Sequence, residues 1–207
     1  FVNKSRDLLN FINKFPTLEN FEEIISQKSL EKINRDALVS CLKKQNKNFK
    51  ISKETLNNIN SLSSKNTFTI TTGHQLCLFT GPLYFAYKVI GCINLCQKLK
   101  KTYPKYNFVP MFWLASEDHD IDEVSTININ GKNLKWETDY QGPSGLAKVN
   151  NFSDHVEKVI NCFGNQALSD DFKEIFFNSY LENEDLSGAT LSMLNKLFGK
   201  YGLVCID

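Results

Sequence analysis

An α/β fold with a parallel sheet, preceded by a helical arm, is what this sequence predicts, and three observations predict it. Phe68–Thr72 is a β-branched and aromatic run without a breaker, as a short buried strand requires. An apolar-striped segment follows from about Leu83 to Lys101, with Pro82 where a helix tolerates a missing N–H. Phe108–Ala115, reading FVPMFWLA, is then a second, continuous apolar strand with Pro110 as its one blemish. Strand, helix and buried strand in that order imply a parallel pair joined by a right-handed crossover. The loops after both strands then share the carboxyl edge of the sheet, where open α/β sheets bind ligands.

Taken in order, residues 1–66 form the arm. Thr17 can cap a helix through Ser26, with Glu19, Glu22 and Glu23 near its positive end. Ser29 can cap a second, with Leu30, Ile33, Ala37 and Cys41 on one face, and Ser52 a third carrying Leu56, Ile59 and Leu62. Residues 67–207 form the first part of the core. Gly73 and Gly81 bracket a loop holding His74, Gln75, Phe79 and Thr80. The helix after it buries Ala86, Val89, Ile90, Ile93 and Cys96, and sets Lys98, Lys100 and Lys101 at its negative end. An insertion of a hairpin and helices spans about residues 126–200. Its hairpin pairs Ser125–Ile129 with Lys132–Trp136 around Asn130-Gly131, placing Ile127 opposite Leu134. A tight loop at Gly142-Pro143-Ser144-Gly145 follows, then helices near Ser153–Cys162, Asp170–Leu181 and Asp185–Tyr201, the last closed by Gly202. Leu203–Ile206 is another apolar strand. With no helix after it the sheet is short of a covering layer, so the chain is expected to be part of a longer protein and to leave apolar surface exposed.

Composition narrows the function classes. The 207 residues carry 42% apolar residues, enough for a core, and a net charge of +1, which points to neither nucleic acid nor an anionic membrane. No window approaches the roughly 18 apolar residues of a membrane span. Six cysteines are scattered without a Cys-x-x-Cys, and the opening residues carry no apolar leader. Reduced thiols in a cytoplasmic protein are the expectation.

Chemistry concentrates in the two loops. Glu117-Asp118-His119-Asp120, followed by Asp122 and Glu123, places ionisable groups in a row that repel one another unless solvated or engaged with a cation, an amine or a ribose. The same run also reads as a solvated loop that caps the next element. Across the edge, Gly73, His74, Gln75, Thr80 and Gly81 precede a helix N-terminus whose donors can meet an anion. Lys88, one turn beyond Tyr84, can reach back over that loop, or simply face solvent. Neither a P-loop nor a dinucleotide fingerprint is present. A metal-dependent hydrolase using His74, His119 and Asp120 is a second reading, although the spacing lacks any His or Cys pair of the usual metal-binding kind, so no metal site is predicted. A thiol- or nucleotide-binding module without catalysis is a third. His155, among polar neighbours, is expected on the surface.

Several long motifs then stand in register. Thr72-Gly73-His74-Gln75, Leu78 through Tyr84 with Lys88, Trp113 through Asp120 with Glu123, Gly142 through Gly145, and FGKYGLVCID from Phe198 to Asp207 closely resemble the bacillithiol biosynthesis cysteine-adding enzyme family. The resemblance implies a Rossmann-like core akin to nucleotidyltransferases, here incomplete, and a later coiled coil through which the longer protein could form a homodimer. It implies a ligase that joins cysteine to glucosaminyl-malate, with the carboxylate activated most economically as an acyl-adenylate from ATP. On that reading Glu117, Asp118, His119 and Asp120 hold the amine or ribose and accept a proton. Thr72, Gly73, His74, Gln75, Thr80, Gly81, Tyr84 and Lys88 bind substrate or nucleotide, and Trp113 walls the pocket. At His74, where many members of that family carry Gln, hydrogen bonding to a ligand is implied rather than acid–base work. This part of the protein alone is expected to be inactive and marginally stable.

Overall fold

The computed structural model describes residues 3–163 and 168–207; the first two residues of the expected arm and residues 164–167 of the expected insertion lie outside them. Three parallel strands, β1 (Thr67–Gln75), β2 (Asn107–Ala115) and β5 (Val204–Ile206), form a sheet of order β1-β2-β5. Alternation along β2 divides the core in two. Phe112 and Leu114 face the crossover helix α4 (Leu83–Thr102), meeting its Phe85, Val89 and Ile93 and also helix α9 (Leu186–Phe198). Val109 and Met111 face the other way, onto Leu42 of α2 (Arg35–Gln45) and Ile59 of α3 (Lys53–Ser61). Helices before and after the sheet in sequence therefore cover both of its faces, as buried parallel strands demand.

That layering corrects one expectation. Val204 and Cys205 of the last strand are fully covered, the first by the α2–α3 side and the second by the α4–α9 side. The arm supplies the layer that the sequence reading found missing. It does so through polar bonds as well as packing: the Thr55 hydroxyl donates to the Leu203 carbonyl at 3.0 Å, and Asn58 Nδ2 donates to the Gly202 carbonyl at 2.7 Å. Apolar surface does remain on the outer side of α4, where Leu83, Tyr87 and Ile90 are exposed.

Other differences have local causes. Helix α1 runs Phe21–Ser29 rather than from Thr17, and Asn34, not Ser29, caps α2 by accepting the Ala37 N–H. Leu30 and Ile33 consequently lie outside the helix and Cys41 is exposed, while Leu42 is the buried residue. Between β2 and α9 come α5 (Ile121–Val124), the hairpin strands β3 (Thr126–Ile129) and β4 (Lys132–Lys135), and α6 (Phe152–Cys162). Ile127 pairs with Leu134 as expected, and Asn130 and Gly131 both take positive φ, the two-residue turn their sequence favours. The helix expected at Asp170–Leu181 is interrupted: α7 (Asp170–Phe172) and α8 (Asn178–Leu181) flank a π-helical stretch at Lys173–Phe177. His155 is buried against Phe152, with ring centroids 5.0 Å apart, which corrects its expected surface position. Among the described residues no helix is long and apolar enough to cross a membrane, and all six cysteines are free thiols.

Candidate functional site

The carboxyl ends of β1 and β2 lie side by side, in register from Gly73 opposite Trp113 to Gln75 opposite Ala115. Strand β1 extends three residues beyond the sequence expectation, so Gly73, His74 and Gln75 belong to the strand and the loop proper begins at Leu76. A side chain at Gly73 would be crowded, its Cβ 3.1 Å from Trp113 Cβ and 3.2 Å from the Trp113 carbonyl oxygen. Trp113 is left 55% exposed, lying over this end of the sheet as a wall.

These residues line an open cleft of about 360 Å³ with Thr72, Gln75, His74 and Glu117. The loop after β1 is tied to the short helix that follows the second loop: the Leu78 N–H donates to the Val124 carbonyl, at the end of α5, at 3.4 Å. The loop at Gly142–Gly145 braces the second from behind, since the Ser144 and Gly145 N–H groups donate to the carbonyls of Asp118 and Ser116 at 2.6 and 2.9 Å. Gly145 has no room for a side chain, because a Cβ would sit 2.5 Å from both Ser116 Cβ and Ser187 Oγ.

The acidic run divides by what its side chains already hold. Asp118 Oδ1 accepts the Asp120 N–H, and Asp120 Oδ1 accepts the Glu123 N–H as the cap of α5. Asp122 pairs with Lys135 at 2.8 Å, which holds its carboxyl below the usual range. The side chains of Glu117 and His119, both exposed, make no hydrogen bond or ion pair among the described residues. They are the groups of this run free to meet a ligand.

On the other side, His74 links the cleft to the start of α4. Its Nδ1 lies 2.6 Å from the Gln75 carbonyl, which places the proton of the neutral ring on Nδ1 and leaves Nε2 to accept from the Tyr84 hydroxyl at 2.9 Å. Asp118, His119 and Asp120 do not line the cleft but follow Glu117 on the loop beyond it; Thr80, Gly81, Tyr84 and Lys88 do not line it either, and lie just before α4 or in its first two turns, where the helix has no side-chain cap. His74 joins the cleft to this second group through its hydrogen bond to Tyr84. Gly81 takes φ +54° and offers no room for a Cβ, which would fall 2.6 Å from Cys77 Cβ. Cys77 itself, half-buried between Lys88 and Glu123, has its thiol pushed up to about 11 by burial and by the Glu123 charge, against the opposing pull of Lys88, so it stays protonated near neutrality. Among the described residues no three His, Cys, Asp or Glu side chains converge as a metal would require, so His74, His119 and Asp120 do not form the ligand set of the hydrolase reading.

Two features escaped the sequence. Asp207 follows β5 at the same edge, its carboxylate accepting from the Ser116 hydroxyl; its place after a third apolar strand was the available signal. Tyr180, in the middle of a helix, carried none.

The chain matches the family model for the N-terminal Rossmann-like domain of bacillithiol biosynthesis BshC over residues 1–207. It is 44% identical to a protein of Flavobacterium johnsoniae and 45% identical to one of Flavobacterium psychrophilum, in each case over 100% of this chain and 40% of the relative. A Christiangramia forsetii protein is 42% identical over 100% of the chain and 39% of its own length. All three bear the name "Putative cysteine ligase BshC". The chain thus spans about two fifths of the length of these relatives.

Proposed function

The chain belongs to the bacillithiol biosynthesis BshC family, and on that premise we propose that the carboxyl edge of its sheet is one part of the substrate site of a cysteine ligase. The reaction we assign forms an amide between the carboxylate of cysteine and the amine of glucosaminyl-malate. The observation that carries this reading is the cleft itself. Glu117, just past the end of β2, lines it with a free carboxylate, His119 stands two residues further along the same loop with a free imidazole, and the loop after the neighbouring strand β1 leads into an uncapped helix start. Amide formation needs that division of labour: a carboxylate to hold an ammonium, a base to take its proton, and donors for an anionic partner.

In this assignment Glu117 binds the amine in its ammonium form, and His119 takes the proton whose loss frees the nitrogen lone pair to attack the activated carboxyl carbon; as the tetrahedral adduct collapses, the bond to the activating group would break, that group would leave with the electron pair, and the second nitrogen proton would pass to solvent. With His74 Nε2 occupied by the Tyr84 hydroxyl proton, the Tyr84 oxygen keeps a lone pair as acceptor, suited to an N–H or O–H of substrate rather than to a phosphate. Anionic groups fit the other side, where the first N–H groups of α4 lack a side-chain cap and Thr80 and Lys88 stand nearby. A nucleoside triphosphate bound there would supply activation of the carboxylate. Asp118 and Asp120 act on the fold of the loop, not on substrate.

The test is mass spectrometry of the full-length protein incubated with cysteine, glucosaminyl-malate and each nucleoside triphosphate in turn. The expected result is the mass of the condensed thiol with at least one nucleotide, lost in His119→Ala without a change in circular dichroism. No product with any nucleotide would remove the ligase assignment.

A further inference from the structure

We propose that Tyr180 is a positioning residue that locks the loop between β1 and α4 in the shape that joins His74 to Tyr84; its role in turnover rests on the ligase reading above. Phe79, at the middle of that loop, is buried and takes φ +55°, a backbone region unfavourable to an L side chain that persists where the surroundings fix it. Gly81 follows with φ +54°, and its N–H donates to the Leu78 carbonyl at 2.9 Å, which turns the chain into α4. The His74–Tyr84 hydrogen bond closes the same loop from outside. A shift of the loop backbone therefore separates these two site residues.

Tyr180 is what fixes that backbone. Its hydroxyl is fully buried, accepts the Phe79 N–H, and donates to the Cys77 carbonyl at 3.4 Å. One phenol thus satisfies a donor and an acceptor on either side of Leu78. Burial pushes the phenol well above its ordinary range, so it remains a neutral hydroxyl able to do both. The ring is itself immobilised, stacked on Phe152 at 4.4 Å with 16° between planes and packed at 5.0 Å on Phe79. The π-helical stretch Lys173–Phe177 immediately precedes it. Its wider turn changes the helix register, and Phe176, Phe177 and Tyr180 all come to face the Phe79 ring. A helix far along the chain and outside the sheet thereby holds a loop of the candidate site.

The experiment compares Tyr180→Phe with Leu194→Ala, a buried change on α9 in the same core that removes no hydrogen bond from the loop, in the full-length protein. Hydrogen exchange is followed for residues 76–82 and, as an internal reference, for β2. In Tyr180→Phe the loop is expected to exchange at least tenfold faster relative to β2, whereas Leu194→Ala raises both alike. With cysteine, glucosaminyl-malate and the nucleoside triphosphate that supports product formation, kcat in Tyr180→Phe is expected to fall at least tenfold with KM changed less than threefold. Loop exchange that rises no more than β2 exchange overturns the proposal, as does faster loop exchange with kcat unchanged. If the wild-type protein forms no amide product, the ligase reading fails and the loop-to-β2 exchange ratio alone decides whether Tyr180 holds the loop.

Discussion

The side chains of Asp118 and Asp120 accept backbone N–H groups, whereas those of Glu117 and His119 hold nothing, and the ligase reading proposed above rests on that contrast within one tetrapeptide. Asp120→Ala removes the cap of α5 and is expected to lower stability by about 1 kcal/mol in urea unfolding while leaving ligand contacts in place. Glu117→Gln is expected to do the reverse: unfolding within about 0.5 kcal/mol of wild type, and loss of product formation. Gly81→Ala forces a Cβ onto Cys77 at a left-handed position, and a loss of about 2 kcal/mol or more is expected by the same measurement. The sequence could bring these residues to one edge, because strand and loop order are read from local periodicity. It could not rank them, because a capping aspartate and a free glutamate differ only in the turn geometry around them. In sequence Cys77 is one of six scattered thiols, and only the fold sets its sulfur 3.5 Å from Nδ1 of His74, the histidine that bonds Tyr84.

Element by element, β1, α4, β2 and the hairpin were legible since each is declared by nearby residues: an apolar run, a proline at the helix start, an Asn-Gly turn. The ends were less so. Gly73 reads as a loop residue, yet β1 continues through it because its pairing with β2 runs on, Gly73 opposite Trp113, as far as Gln75 opposite Ala115. The arm was legible as helices but not as a layer of the sheet, since its burial depends on β2 and β5, which lie far along the chain. That layer can be tested at Thr55, which is fully buried with its hydroxyl donating to the Leu203 carbonyl ahead of β5. Thr55→Val keeps the shape and leaves that carbonyl without its donor. A loss of about 1–3 kcal/mol is expected by urea unfolding. Faster hydrogen exchange confined to α3 and β5 would identify the contact responsible.

Over the whole molecule, burial of one histidine ties stability to pH. Sequence neighbours Asp154, Glu157 and Lys158 make α6 read as polar, but Phe152, Val156 and Val159 mark a buried stripe, and His155 falls on it. Both ring nitrogens are buried without a hydrogen-bond partner among the described residues. Burial, helped by the nearby Lys158 charge, holds the imidazole below its usual value of 6.5. Below about pH 6.5 the unfolded chain therefore takes up a proton that the folded chain resists, and stability falls as pH falls until the folded imidazole is itself protonated. Above that range His155 is neutral in both states and contributes no slope. Within the window the loss approaches about 1.4 kcal/mol per pH unit. His155→Leu places an apolar side chain in an apolar site and removes two unpaired polar atoms, so unfolding at pH 7.5 is expected to be unchanged or up to about 1 kcal/mol more difficult. Comparing the two proteins by urea unfolding from pH 7.5 to 5 isolates the histidine from the carboxylates, which titrate alike in both. The wild type is expected to lose stability relative to the variant as pH drops below 6.5. Parallel curves would mean that His155 takes up its proton equally well in the folded core.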